Sequence, residues 1–284
     1  MPLETLEQTN IMDLAIKTPE KRKEYLFDPY RDLPEEVWKS WILFTKDYRF
    51  RNDLEGWMST TTAQLVLRPD RSSELHIDEE AEELADITLD VIMKSADDNR
   101  TSLATPFSDN FLKPLSDASI LFPSSAKIRS YASPDTFQKI QKEISEAHFD
   151  VHSYHQTRNF VNATARLKLA FPGNERHLIL PTEEDIQLLV EGLKRETRLD
   201  INSSRLQALA SLRILFPNMN MKRSRDSIPT DHSKIQFSPR DLMNLAIISA
   251  DKVVVDDTGL HLEFNHDRKA PPEEVASPPT SLKF

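Results

Sequence analysis

His148, His152 and His155 stand four and three residues apart in the segment His148-Phe149-Asp150-Val151-His152-Ser153-Tyr154-His155. On one helix these positions fall within about 60° of each other, which is how two or three imidazoles come to share a zinc ion. A hydrolytic site of that kind also needs an open coordination position and a general base, and Glu143, Glu146 and Asp150 stand nearest in sequence. The segment departs from H-E-x-x-H, because Phe149 follows the first histidine and no carboxylate occupies the position of the base. A helix end with incidental histidines is the competing explanation.

The second constellation is Met221-Lys222-Arg223-Ser224-Arg225, set between Pro217 and Pro229. Lys222, Arg223 and Arg225 are candidates for contact with phosphate or with an acidic partner, and such a run also suits nuclear import. A solvated loop carries the same charges without any function. Followed by a helix and then a hairpin, the segment resembles a winged-helix layout. The helix from Asp241 argues against that resemblance, since Leu242, Met243, Leu245, Ala246, Ile247 and Ile248 leave no polar face for a groove.

Composition removes several function classes. The 284 residues include four glycines, Gly56, Gly173, Gly192 and Gly259, too far apart to build a loop that wraps a phosphate. No G-x-G-x-x-G, G-x-x-x-x-G-K-[ST] or G-x-S-x-G is present. The chain has no cysteine, which excludes disulfides, thiolate zinc sites and cysteine nucleophiles. The net charge of −10, from 46 acidic and 36 basic residues, opposes broad binding to nucleic acid or to an anionic membrane. No cofactor is expected, and neither is a membrane partner. With no signal-like or membrane-length apolar run, the expected location is intracellular, cytoplasmic or nuclear.

The elements that would position these residues are mostly helices. Pro34-Glu35-Glu36 opens one with proline and carboxylates in the first turn, and Trp38, Trp41, Ile42 and Phe44 supply its apolar face. Thr60 to Leu67, β-branched and alternating, is predicted as a short strand. Asp78 to Ser95 is predicted as a helix with Ala81, Leu84, Ile87, Val91 and Ile92 inward and Glu79, Glu80, Glu82, Glu83, Asp86 and Asp90 facing solvent. Residues 97–133 read as an irregular connector with short structured pieces. Ser133-Pro134, Pro181-Thr182-Glu183 and Ser238-Pro239 each open a further helix. Residues 253–264 read as a β-hairpin turning at Gly259. The expected fold is α+β and predominantly α-helical. It runs from 28 to 265, with a candidate subdomain division near 97–133, a flexible arm over 1–27 and a disordered proline-rich tail over 266–284.

One repetition crosses this layout. Leu121-Phe122-Pro123, Ala170-Phe171-Pro172 and Leu215-Phe216-Pro217 each follow an apolar segment, and in each case a later proline opens a new helix. Their spacing suits a helix-pair repeat, while a phenylalanine packed at any helix end, followed by a proline stop, explains each one singly. Separately, Leu33-Pro34-Glu35-Glu36-Val37 resembles the opening of an F-box, a helical motif that docks to a ubiquitin-ligase adaptor. The pattern then departs at Trp41 and Ile42 and persists only as Leu54 and Trp57, so the resemblance is not adopted. The function expected from these residues is that of a non-enzymatic protein–protein interaction component: a subunit, adaptor or structural protein of an assembly. The alternatives are a nucleic-acid-binding regulator or nucleocapsid-type protein using 222–225, and a metal-dependent hydrolase on His148, His152 and His155.

Overall fold

The computed structural model describes residues 27–50, 53–98, 111–150, 153–195, 203–219 and 238–265. The N-terminal arm before Phe27, the tail from 266, the basic residues Lys222, Arg223 and Arg225, and His152 lie outside the described residues. The protein is predominantly helical, with a two-stranded antiparallel hairpin. Its helices are α1 (Pro29–Asp32), α2 (Glu35–Phe50), α3 (Leu54–Leu67), α4 (Glu79–Asp98), α5 (Leu112–Leu121), α6 (Ala126–Tyr131), α7 (Pro134–Asp150), α8 (Tyr154–Ala170), α9 (Glu183–Arg195), α10 (Ser203–Leu215) and α11 (Pro239–Ser249). The strands are β1 (Lys252–Asp256) and β2 (Gly259–Glu263). No helix among the described residues is long and apolar enough to cross a membrane.

Five helices form a closed ring in which α3 packs on α5, α5 on α8, α8 on α10, α10 on α11, and α11 on α3. Helices α2 and α4 flank α3, while α7 and α9 flank α8. Ring helices are surrounded on most sides, α11 most completely. From Leu242 to Ser249 every residue of α11 is buried, which leaves it no face for a nucleic-acid groove. Helix α8 serves two clusters of the core, giving Val161, Ala165 and Leu169 to one and Phe160, Ala163, Leu167 and Ala170 to the other.

The expected strand over 60–67 is instead the second half of α3. Asp53 caps that helix by accepting from Gly56 N–H (3.0 Å), and Trp57, Met58, Thr61, Thr62, Ala63, Gln64, Val66 and Leu67 are buried in it. A β-branched run inside a ring gains more from packing than it loses in helix propensity, which is under about 0.7 kcal/mol per residue. The structured pieces expected within the connector 97–133 are the helices α5 and α6. The expected openings after Ser133, Thr182 and Ser238 stand: each side-chain oxygen accepts an N–H from the first turn of α7, α9 or α11, and Ser238 and Asp241 form a full capping box. In the hairpin Val253 pairs with Leu262 and Val255 with Leu260, and Gly259 takes φ +121.

The Phe-Pro repetition is one local structure used three times. At the ends of α5, α8 and α10, the Phe N–H reaches the carbonyl four residues back, at Ala118, Leu167 and Leu212 (2.8, 3.0 and 2.8 Å). The Phe carbonyl then accepts from Ser125, Asn174 or Met219 (3.0, 3.2 and 3.0 Å), closing a turn that proline opens. A fourth copy ends α3: Arg68 takes the phenylalanine position, with φ −138 and ψ 69 against −127 and 58 at Phe122, and its carbonyl accepts from Arg71 N–H (3.0 Å).

Side chains three residues before these phenylalanines join the ring ends in order. Ser119 of α5 donates to the Ala170 carbonyl at the end of α8 (3.4 Å), and Lys168 of α8 to the Ile214 carbonyl of α10 (3.1 Å). Arg213 of α10 donates to the Ala250 and Asp251 carbonyls beyond α11 (3.2 and 3.1 Å). Each donor satisfies carbonyls that a helix end leaves unpaired, and the two cations also meet the negative end of the helix dipole.

Gly192 shows how tightly an outer helix sits on the ring. A Cβ there would overlap the ring of Tyr154 on α8. Alanine gains about 1 kcal/mol of helix propensity over glycine, but overpacking costs about 1–3 kcal/mol. Gly192→Ala is therefore expected to lower stability by up to about 2 kcal/mol in urea denaturation. In a Tyr154→Ala background the same change should become neutral or stabilising.

Candidate functional site

The histidine segment does not form one helix. Helix α7 ends at Asp150, Ser153 caps α8 by accepting from Gln156 N–H (3.3 Å), and the chain starts afresh between them. His148 lies in the last turn of α7 and His155 at the second position of α8. His148 and His155 therefore stand on two different helices. His155 is exposed and tilts against the Tyr154 ring at 5.1 Å. Among the described residues no three His, Asp or Glu side chains group to hold a metal ion. Of the carboxylates suggested as bases, Glu146 pairs with Lys142 (3.7 Å), and Glu143 is half-buried with its pKa raised by burial.

A cavity of about 360 Å³ opens between α2, α3 and the start of α4, lined by Ile42, Thr45, Trp57, Leu75, His76 and Glu80 among others. Glu74, also on its lining, ends the short 3-10 turn Pro69–Glu74. Trp38, fully buried, donates its indole N–H to Glu74 (2.9 Å), and the Arg71 guanidinium lies 5.0 Å over its ring. Arg71 also bridges Glu74 and Glu35 (2.6 Å each), and these bonds hold both carboxyls below the usual carboxylate range. The acids are thereby kept ionised and fully engaged, which suits bracing rather than proton transfer. His76, exposed at the rim, has a left-handed backbone (φ +51), which costs about 1 kcal/mol or more in a residue with a Cβ.

A second cavity, about 310 Å³, lies at the ring end between the Phe122-Pro123 and Phe171-Pro172 stops and the hairpin turn, with Ile128 and Leu169 on its walls and Asp257 at its edge. Beside it, hydrogen bonds from the Thr258 hydroxyl and N–H hold the Asp256 carboxyl below its usual range.

The outer surface holds what the sequence pattern misplaced. On α4 the inward residues are Ala81, Ala85 and Leu89, none more than 1% exposed, while Ile87 and Val91, expected inside, are 50% and 57% exposed. Two acids expected in solvent hold α6 instead: Glu82 accepts from the Ser125 hydroxyl (2.6 Å), and Asp86 from the Tyr131 phenol (2.9 Å). Burial, together with that Asp86 bond, pushes the Tyr131 pKa up to about 12. Phe44, counted in the apolar face of α2, is 57% exposed beside Leu43 at 68%, whereas Trp38 and Trp41 are buried. Comparison with protein-family models, with curated proteins and with solved structures finds no match to this chain.

Proposed function

We propose that this protein is a non-enzymatic interaction component: a rigid helical ring whose flanking helices α2 and α4 present apolar side chains to a protein partner. The observation that carries this reading is the exposure of Leu43, Phe44, Ile87 and Val91 on helices whose other faces are already well buried. Against the described residues, solvent-facing isoleucine and valine bring little packing gain, and exposed apolar patches rimmed by charge mark protein contacts. The acidic surroundings on α4 also repel phosphate, which favours protein over nucleic acid as the ligand of this face.

Site-specific photocross-linking in native extract tests the reading. A photoreactive residue at position 43 or 87 is expected to trap a discrete partner, while one at position 252 on the hairpin edge traps none. Equal adducts at all three positions, or none at 43 and 87, overturn it.

A further inference from the structure

We infer that the outer face of α4 docks a basic amphipathic helix of a protein partner. This inference rests on the interaction reading above and assigns it a site and a chemistry. Glu80, Glu83, Ile87 and Val91 recur at three- and four-residue steps on the side of α4 opposite Ala81, Ala85 and Leu89. Four residues apart, the Ile87 and Val91 side chains are neighbours on the helix surface and form one apolar step about a turn long. Their β-branched side chains cost helix propensity at solvent positions where lysine or glutamate would be favourable.

Charge selects the occupant. Among its described side chains α4 carries Glu79, Glu80, Glu82, Glu83, Asp86 and Asp90 against a single lysine, Lys94, and that lysine is bonded to Asp90 (2.5 Å). Glu82 and Asp86 are committed to α6, while Glu79 and Glu83 stand exposed, Glu83 one turn from Ile87. A second copy of this chain would set two such acidic faces against each other and be repelled, and an anionic membrane or a nucleic acid would be repelled in the same way. A helix with apolar residues at i, i+3, i+4 and i+7 flanked by Lys and Arg satisfies both features at once: its apolar ridge covers Ile87 and Val91, and its cations meet the glutamates. Lost side-chain freedom and the small contact area limit such a complex to roughly micromolar affinity.

The test uses the full chain and a synthetic peptide with leucines at i, i+3, i+4 and i+7 and lysines and arginines elsewhere, beside a scrambled peptide of equal composition. Fluorescence anisotropy should show saturable binding of the patterned peptide, roughly tenfold weaker at high salt and at least tenfold weaker for the scrambled one. Ile87→Ser with Val91→Ser should abolish the difference between the peptides. Glu80→Gln with Glu83→Gln should remove most of the salt dependence. Hydrogen exchange should place the protection on α4. Equal binding of both peptides, protection confined to other helices, or a dimer of the free chain that Ile87→Ser with Val91→Ser dissolves, each overturns the inference. Adducts from position 43 alone would remove the α4 site while leaving the interaction reading in place; no adducts from either position removes both.

Discussion

Replacing Arg213 by alanine is expected to cost about 4 kcal/mol of stability, a large part of what holds an ordinary domain together. Arg213 is 4% exposed, and its guanidinium donates to the carbonyls of Pro217, Met219 (2.9 Å), Ala250 and Asp251. It thereby closes the Phe216-Pro217 turn and ties the end of α10 to the chain leaving α11 for β1. Alanine would leave these carbonyls unpaired at two helix ends, and a buried acceptor without a donor costs about 1–3 kcal/mol. Arg213→Lys keeps the charge but not the planar fork, so it should lose about half as much. Urea denaturation followed by circular dichroism measures both. Lys252→Ala, which breaks only the exposed Lys252 to Glu263 pair (2.7 Å), is the control and should change stability by less than about 0.5 kcal/mol. A loss for Arg213→Ala no larger than that control would refute the clamp.

The same position explains what the sequence could show. Serine caps before Pro134 and Pro239, the hairpin at Gly259 and the three Phe-Pro stops were legible because each depends on a few adjacent residues with restricted backbone. The fourth stop was not, since Arg68 stands where the others have phenylalanine, and the threonines before it imitate a strand. A helix buried on all sides has no period to read, so only its neighbours in the ring decide between helix and strand. Nor does sequence reveal that Ser119, Lys168 and Arg213 share a role, because serine, lysine and arginine have only hydrogen donation in common here.

The surface of α4 was misread for a related reason. Leu84, Ile87 and Val91 fit a helical stripe as well as Ala81, Ala85 and Leu89 do, and the branched residues outrank alanine in hydrophobicity. What turns the helix is distant in sequence: Ser125 and Tyr131 bind Glu82 and Asp86, and alanines are needed where α4 meets α3 and α5 closely. The candidate docking face is legible only after that rotation is known. The helix boundary inside the histidine segment was partly visible, for Ser153 is a good N-cap and marks a new helix between His148 and His155.

Phe171→Ala is expected to match the arginine variant in magnitude, at about 4 kcal/mol, and for a different reason. Phe171 is 2% exposed and meets the Phe137 ring edge-on at 5.4 Å and 65°, so it holds outer helix α7 against the end of α8 while its backbone closes the turn. The backbone bonds survive the substitution, because Pro172 and the left-handed Gly173 (φ +85) still shape the turn. The loss therefore measures the side chain: a cavity of aromatic size plus about 1 kcal/mol of ring pairing. Phe171→Leu should recover more than half, since it refills volume without the ring. In a double-mutant cycle with Phe137→Leu, the coupling to Phe171→Leu should be about 0.5–1.5 kcal/mol. Phe122→Ala, at a stop of the same geometry whose phenylalanine is 8% exposed, should cost less than Phe171→Ala by about that coupling. If all three Phe-Pro phenylalanines give the same loss and the cycle shows no coupling, the stops act as identical plugs, and Phe171 has no separate part in seating α7.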